Sequence, residues 1–322
     1  MTHVAVVVPT FRRPDLLGRC LEALSRQQYC TGQFDVIVAD DAADETTRRQ
    51  VEKLAAMNSI QIHYVSVTGR HGPAAARNAG WKIARGELIA FTDDDCIPDT
   101  NWLAAGKQPF ADKKVVAVTG QTIVPLPPIP TDYERNTAGL EKGEFITANC
   151  FCRRAVLKQI GGFDEEFTIA WREDSDLHFR LLDTGGKIVR VWEAVVIHPA
   201  RPAAWGVSLR EQRKAAFDAL LFRKHPRLFR ERIHPACPWA YYLMLVALTL
   251  GFLSAALGAS TYAVVAVIVW LSLTAQFLFR RLKDTSWRPA HIAEICATSI
   301  LIPFLSIYWR LNGAARFRVF FW

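Results

Sequence analysis

Three carboxylates in a row, Asp93-Asp94-Asp95, follow Thr92 at the end of a strand-like run from Glu87 to Phe91. Adjacent carboxylates repel unless a cation or hydrogen-bond donors compensate them. A hard divalent ion that also takes phosphate oxygens would do so. The competing reading is a polar turn that caps the helix from Trp102 onward. Asp40-Asp41 ends a second apolar run, Phe34 to Ala39, and suits either a base imide or ribose hydroxyl or a loop cap. Glu173-Asp174, with Asp176 behind, offers a general base for an acceptor hydroxyl, yet acids at a helix start are also favoured as caps. His198 before Pro199 is a metal ligand or a polar loop residue. The stretch Gly69 to Gly80 combines glycines, small residues and bases, so it can approach phosphate closely. It matches neither a dinucleotide fingerprint nor a P-loop, and Arg77 within it could equally pair with an aspartate.

The elements that must position these groups alternate. Val4–Val8 is a buried strand closed by Pro9-Thr10, and Leu16–Leu24 has helical spacing with Asp15 placed to cap it. Strands follow at 34–39, 60–67, 87–91 and 115–119, with helices at 45–57 and within 72–84. Further on, 145–153 reads as extended, 155–160 and 174–182 as helices, and 187–192 as a strand. Pro125 to Pro130 is a stiff connection, and the poorly periodic stretch to Gly143 reads as a mobile loop. This alternation predicts α/β organisation with a mainly parallel, Rossmann-like sheet. In such sheets binding groups gather beyond the C-terminal ends of strands, where both acidic clusters fall.

The chain has 322 residues and a formal charge of +8. Between Arg201 and Arg232 nine basic residues oppose three acidic ones. Immediately afterwards, Trp239 to Phe279 holds no Asp, Glu, Lys, Arg or His. About 20 apolar residues cross a bilayer, so this block divides at Gly258-Ala259-Ser260 into a transmembrane hairpin, 239–257 and 261–279. Basic flanks place both of its ends, and the preceding globular region, in the cytoplasm. For 291–309 a third span and a surface-lying or re-entrant helix are both open; a span would send Arg310, Arg316 and Arg318 to the far side. The aromatic residues Phe320, Phe321 and Trp322 follow. The expected parts are a catalytic domain over 1–200, a basic juxtamembrane region over 201–238, the hairpin over 239–279, and a basic loop with a membrane or interfacial helix over 280–322. No recognition module or aromatic-interleaved groove accompanies the basic stretch, which argues against nucleic acid. Seven cysteines, Cys30 and Cys237 among them, show no zinc spacing and read as reduced structural thiols.

Several pieces occur in order: Val6-Val7-Val8-Pro9-Thr10-Phe11-Arg12-Arg13, Val38-Ala39-Asp40-Asp41, Ala76-Arg77-Asn78-Ala79-Gly80, Phe91-Thr92-Asp93-Asp94-Asp95, Gly161-Gly162-Phe163-Asp164-Glu165 and Glu173-Asp174-Ser175-Asp176-Leu177. Together they resemble the large family-2 group of inverting nucleotide-sugar glycosyltransferases with the GT-A fold, over about residues 4–200. The resemblance implies roles. Asp40 would contact the nucleobase, in a pocket lined by Pro9, Thr10 and Arg12. Arg77 would touch nucleotide or phosphate, and Asp93 and Asp94 would lie near ribose and metal. Asp95 would be the main metal carboxylate, with Asp93 and His198 as further candidates. Asp174 would be the catalytic base, supported by Glu173, while Asn149 and Trp171 would lie on the acceptor or sugar side. Mn²⁺ or Mg²⁺ would be the cofactor, a UDP-, GDP- or dTDP-sugar the donor, and a lipid-linked molecule at an anionic membrane surface the acceptor. The Gln-x-x-Arg-Trp element of processive synthases is missing; Arg201-Pro202-Ala203-Ala204-Trp205 and Gln212-Arg213-Lys214 stand in that region, which favours transfer of a single sugar. A metal-dependent nucleotidyltransferase and a non-catalytic membrane scaffold are the rival readings.

Overall fold

The computed structural model describes residues 3–29, 32–57, 60–233 and 238–320. Cys30, Cys237, Phe321 and Trp322 lie outside the described residues. The chain divides into two compact units, one of Met1–Pro125 with Ala138–Ala200 and one of Leu126–Thr137 with Arg201–Trp322.

The first unit is built on eight strands: β1 (Val4–Thr10), β2 (Phe34–Asp40), β3 (Gln61–Ser66), β4 (Leu88–Phe91), β5 (Ile97–Pro98), β6 (Val115–Ile123), β7 (Cys150–Arg153) and β8 (Lys187–Ile197). Their order in the sheet is β3-β2-β1-β4-β7-β6-β8-β5. Pairing is parallel for β1/β2, β1/β4, β2/β3 and β6/β8. It is antiparallel where β7 sits between β4 and β6, and where β5 meets β8. The sheet is therefore mixed, parallel through its first four strands, with β7 as a reversed insert.

β1 explains the layering. Val4, Val6 and Val8 join a buried cluster with Leu17, Leu21 and Leu24 of α1 (Pro14–Ser25). Ala5 and Val7 point the other way, into a cluster with Trp81 of α3 (Pro73–Ile83) and with Leu177 and Leu181 of α7 (Glu173–Asp183). Alternate residues of a strand serve opposite faces, and a strand covered on both sides must be apolar throughout. α2 (Glu45–Met57), α4 (Trp102–Lys107) and α6 (Arg154–Ile160) complete the unit's helices.

Some local expectations change. Asp15 lies in the first turn of α1, while Arg13 occupies the cap position without a side-chain cap bond. The extended reading of 145–153 is interrupted by a 3₁₀ turn at Thr147–Asn149, so β7 starts only at Cys150. The stretch up to Gly143 is not a loop but α5 (Asp132–Thr137) followed by a 3₁₀ turn, Ala138–Lys142. The strand at Lys187 continues to Ile197.

In the second unit, α8 (Val207–Glu211), α9 (Ala215–Lys224) and the short α10 (Pro226–Leu228) precede three long helices. These are α11 (Trp239–Ala256), α12 (Ser260–Leu282) and α13 (Pro289–Arg316), each long and apolar enough to cross a membrane. α11 and α12 pack against each other as the expected hairpin, and Gly258 in their connection has φ +73°, a conformation that suits glycine. A polar lock sits at the end of α12. Arg281 is buried and donates two hydrogen bonds to Asp132 of α5, at 2.7 and 3.1 Å. The same guanidinium donates to Thr298 Oγ1 and Ser299 Oγ of α13, at 2.8 and 3.0 Å. A buried guanidinium requires such a complete set of acceptors.

Candidate active site

Register brings the acidic clusters together. β1 lies between β2 and β4, with Thr10 opposite Asp40 and Val7 opposite Phe91. The chain leaving β4 therefore runs beside Thr10, whose hydroxyl donates to Asp94 Oδ2 at 2.8 Å. Arg13 Nη1 donates to the other oxygen of Asp94 at 3.2 Å. Asp94 is buried, and that burial pushes its carboxyl up to about 6, with Asp95 adding to the effect and Arg13 opposing it.

Arg77 on α3 is the centre of the arrangement. It is 3% exposed; Nη2 donates to Asp93 Oδ1 at 2.7 Å and Nη1 to Glu173 Oε1 at 3.1 Å. Its guanidinium also lies over the Phe163 ring, 5.6 Å from the centroid. Burial alone would lower its pKa, but Asp93 and Glu173 outweigh that and hold it protonated. One cation thus joins the end of β4 to the start of α7. Glu173 is itself buried, and burial pushes it up to about 7 against the pull of Arg77. Its Oε2 has no hydrogen-bond partner. Asp174 is half-buried and shifted upward by desolvation, with a 2.6 Å bond from the Ser175 N–H and the charges of Arg172 and Arg77 opposing.

α7 and α3 both start from strained turns. Arg172, before α7, has φ +72°, and its guanidinium covers the Trp171 ring at 4.5 Å. Gly72, before α3, has φ +118°, and a Cβ there would lie 2.7 Å from the Thr168 carbonyl oxygen. Only glycine allows that approach. The Gly72 N–H and His71 are held by the Asp41 carboxylate, at 2.9 and 3.0 Å.

Among the described residues, one group of His, Cys, Asp or Glu side chains is close enough to share an ion: Asp95, Cys96 and His198, with ligand atoms within 4.8 Å of one another. His198 follows β8, and its Nε2 lies 3.5 Å from Asp95 Oδ1; its Nδ1 is buried without a hydrogen bond. Burial pushes the Cys96 thiol up, and a soft sulfur ligand is ill suited to a hard ion. Asp95 and His198 therefore supply an oxygen and a nitrogen, and a hard ion would take its remaining positions from phosphate and water. These residues fit Mn²⁺ or Mg²⁺.

The other candidates fall into different places. Asp93, a further metal candidate, spends an oxygen on Arg77 and is outside the ion-sharing group. Asp40 is fully buried and accepts from the N–H groups of Ala42 and Asp44 and from the Tyr64 hydroxyl, at 2.9, 2.7 and 2.9 Å, so little acceptor capacity remains for a nucleobase. Pro9 and Thr10 lie at the end of β1, and Arg12 follows with φ +53° and its guanidinium over Phe11. Asn149 is a correction. It is 0% exposed, takes Trp102 Nε1–H at 2.8 Å and donates to the Gln121 and Ala194 carbonyls at 2.8 and 2.9 Å. Its amide is a strut between strands rather than a surface for a sugar. Sequence pattern does not mark Arg13 or Cys96 as site residues; the Arg12-Arg13 doublet is the available signal for the first, and nothing local marks the second.

Residues 5–161 match the Glycosyl transferase family 2 sequence model, and residues 138–280 match Glycosyl transferase family group 2. The chain is 25% identical over 251 residues to glycosyltransferase AglE of Haloferax volcanii, covering 74% of this chain and 80% of that protein. It is 27% identical over 274 residues to validoxylamine A glucosyltransferase of Streptomyces hygroscopicus subsp. jinggangensis, covering 71% of this chain and 62% of that one. Among solved structures, mannosyltransferase PcManGT from Pyrobaculum calidifontis, in complex with GDP-Man and Mn²⁺, superposes with a TM-score of 0.62 at 22% identity, covering 96% of this chain and 87% of that one. The chain carries a family-2-type glycosyltransferase domain with a GT-A-like fold, followed by helices long and apolar enough to span a membrane.

Proposed function

We propose that this chain transfers one sugar, with inversion, from a nucleoside-diphosphate donor to a lipid-linked acceptor at the membrane, its catalytic unit on the cytoplasmic side. The observation that carries the reading is the Arg77 bridge from Asp93 to Glu173, which draws two acid clusters far apart in sequence to one place. The basic stretch before α11 and the apolar hairpin support an acceptor that resides in the bilayer.

In this reading Asp174 accepts the proton of the acceptor hydroxyl as its oxygen attacks the anomeric carbon. An upward-shifted carboxylate is a stronger base near neutrality, which suits that task. Glu173, neutral below about 7, leaves Asp174 as the principal negative charge at the start of α7. The bond to the diphosphate breaks on the face opposite the attack, so one displacement inverts the anomeric centre. Asp95 and His198 would hold a divalent ion, which would supply positive charge against the leaving diphosphate. Arg77 holds the β4 and α7 ends of the site in register throughout.

The test is direct. Membranes containing the chain are given UDP-, GDP- or dTDP-sugars, a lipid extract and Mn²⁺ or Mg²⁺, and the product is identified by mass and anomeric coupling. One donor should yield a glycolipid of inverted configuration and a nucleoside diphosphate. Release of pyrophosphate from a nucleoside triphosphate instead would establish the nucleotidyltransferase alternative.

A further inference from the structure

α13 turns a stripe of large apolar side chains outward. Its buried side is mixed, with His291, Thr298, Ser299 and Arg310 beside Ile295, Ile302 and Ile307. Its open side holds Ile300, Leu301, Tyr308 and Leu311, which are 43%, 47%, 56% and 56% exposed. Positions 300, 304, 308 and 311 recur at helical spacing, and Phe304 completes the stripe. An apolar stripe of this length is suited to acyl chains rather than water.

The buried side is accompanied over most of its length by a charged segment. Near the start of α13, Glu294 Oε1 accepts the Gly206 N–H at 2.7 Å, just before α8. Near its end, Gly313 lies so close to α9 that a Cβ would come within 2.4 Å of the Ala216 carbonyl oxygen. The Phe317 ring is 6.0 Å from that of Phe217, and the Arg223 guanidinium is 5.7 Å from Phe317. Between Gly206 and Ala216 run α8 and the 3₁₀ turn Gln212–Lys214, which carry Arg210, Glu211, Arg213 and Lys214. A helix that crosses a bilayer has its ends on opposite sides. A segment touching both ends would have to cross beside it, taking those charges into hydrocarbon.

We infer that α13 does not cross the bilayer but lies in the interface on the side of the basic stretch, its stripe from Ile300 to Leu311 seated in the acyl chains of that leaflet. The anchor then crosses twice, through α11 and α12. Arg310, Arg316 and Arg318 stay on the basic side, as the distribution of positive charge around membrane segments favours. The inference rests on membrane attachment and is independent of the reaction.

Two measurements on the full chain in lipid vesicles test it, with its own reactive cysteines replaced by serine. Spin labels at Ile300→Cys and Leu311→Cys report depth by relaxation with oxygen and a water-soluble nickel chelate. Eleven residues of helix span about 16 Å along the axis. Labels at matching depths, about 5–10 Å below the headgroup boundary, are expected. A depth difference approaching 16 Å, or two labels fully in water, would overturn the inference. Second, a membrane-impermeant maleimide should reach Arg318→Cys from the same side as Arg210→Cys and the side opposite Ser260→Cys in the hairpin. Reaction of Arg318→Cys from the Ser260→Cys side would also overturn it. All five positions are exposed, so labelling leaves the buried packing in place.

Discussion

Replacing Arg77 by methionine isolates the central feature of the site. The methionine fills similar volume but leaves Asp93 and Glu173 without their shared cation in a place that is almost closed to solvent. Removing one partner of a buried ion pair costs about 3–5 kcal/mol. For a unit of this size that corresponds to a fall of roughly 6–20 °C in thermal midpoint. The loss should depend on pH. Glu173 has a folded pKa of about 7, above its ordinary value, so in the wild type its contribution is full at low pH and is lost as pH rises through 7. Without Arg77 that carboxyl rises further, and the penalty for ionising it grows. The difference between wild type and Arg77→Met should therefore be larger at pH 8 than at pH 5, measured by differential scanning fluorimetry in detergent. The double variant Arg77→Met/Glu173→Gln should lose about 0.5–3 kcal/mol less than the sum of the single losses, as coupled neighbours do. Strict additivity, or a midpoint change that is the same at both pH values, would refute the reasoning.

Asp174→Asn should lower turnover by about 10²–10⁴-fold while leaving donor binding by calorimetry within twofold; full turnover would remove Asp174 from the role of base. Asp95→Asn should weaken Mn²⁺ binding at least about 10-fold, read by electron paramagnetic resonance of free Mn²⁺, since a ligand should matter at least as much as an outer partner. Asp94, with a folded pKa of about 6, stabilises fully only below its unfolded value and loses that contribution as pH rises through 6. Asp94→Asn should therefore gain thermal midpoint relative to wild type between pH 4 and 7; a flat difference contradicts the assignment. Arg281→Lys keeps the charge but not the planar fork that meets Asp132, Thr298 and Ser299. It should lose roughly 1–3 kcal/mol, seen as a lower midpoint in detergent, and an unchanged midpoint would mean the lock contributes nothing.

Much of the first unit could be read from local pattern. The apolar runs ending at Pro9-Thr10, Asp40-Asp41 and Asp93-Asp94-Asp95 are strands whose ends bear polar chemistry, and strand-helix alternation places those ends on a common edge. What escaped was set by partners distant in the chain. Arg77 and Glu173 are 96 residues apart, so no window of sequence shows that they meet. Asn149 looks like a free polar group beside Cys150. Gly120 makes its burial feasible, since a Cβ at Gly120 would lie 2.4 Å from the Asn149 side-chain oxygen. Asp40 suits a ligand by type and position, but its three hydrogen bonds come partly from Tyr64 on the neighbouring strand. Hydropathy detects the length of α13 without its direction, because direction depends on what Glu294 and Gly313 touch.

The electrostatic balance around Arg77 carries a consequence for the order of events. Asp93, Asp94, Asp95 and Glu173 bring four carboxyl groups, while Arg77 and Arg13 bring two guanidinium groups. With the aspartates ionised and Glu173 neutral, this set has a formal excess of one negative charge, which repels the diphosphate of an arriving donor. Favourable entry requires cation and nucleotide to come together, or the cation first. Saturation curves for the donor should accordingly shift with the concentration of free divalent ion.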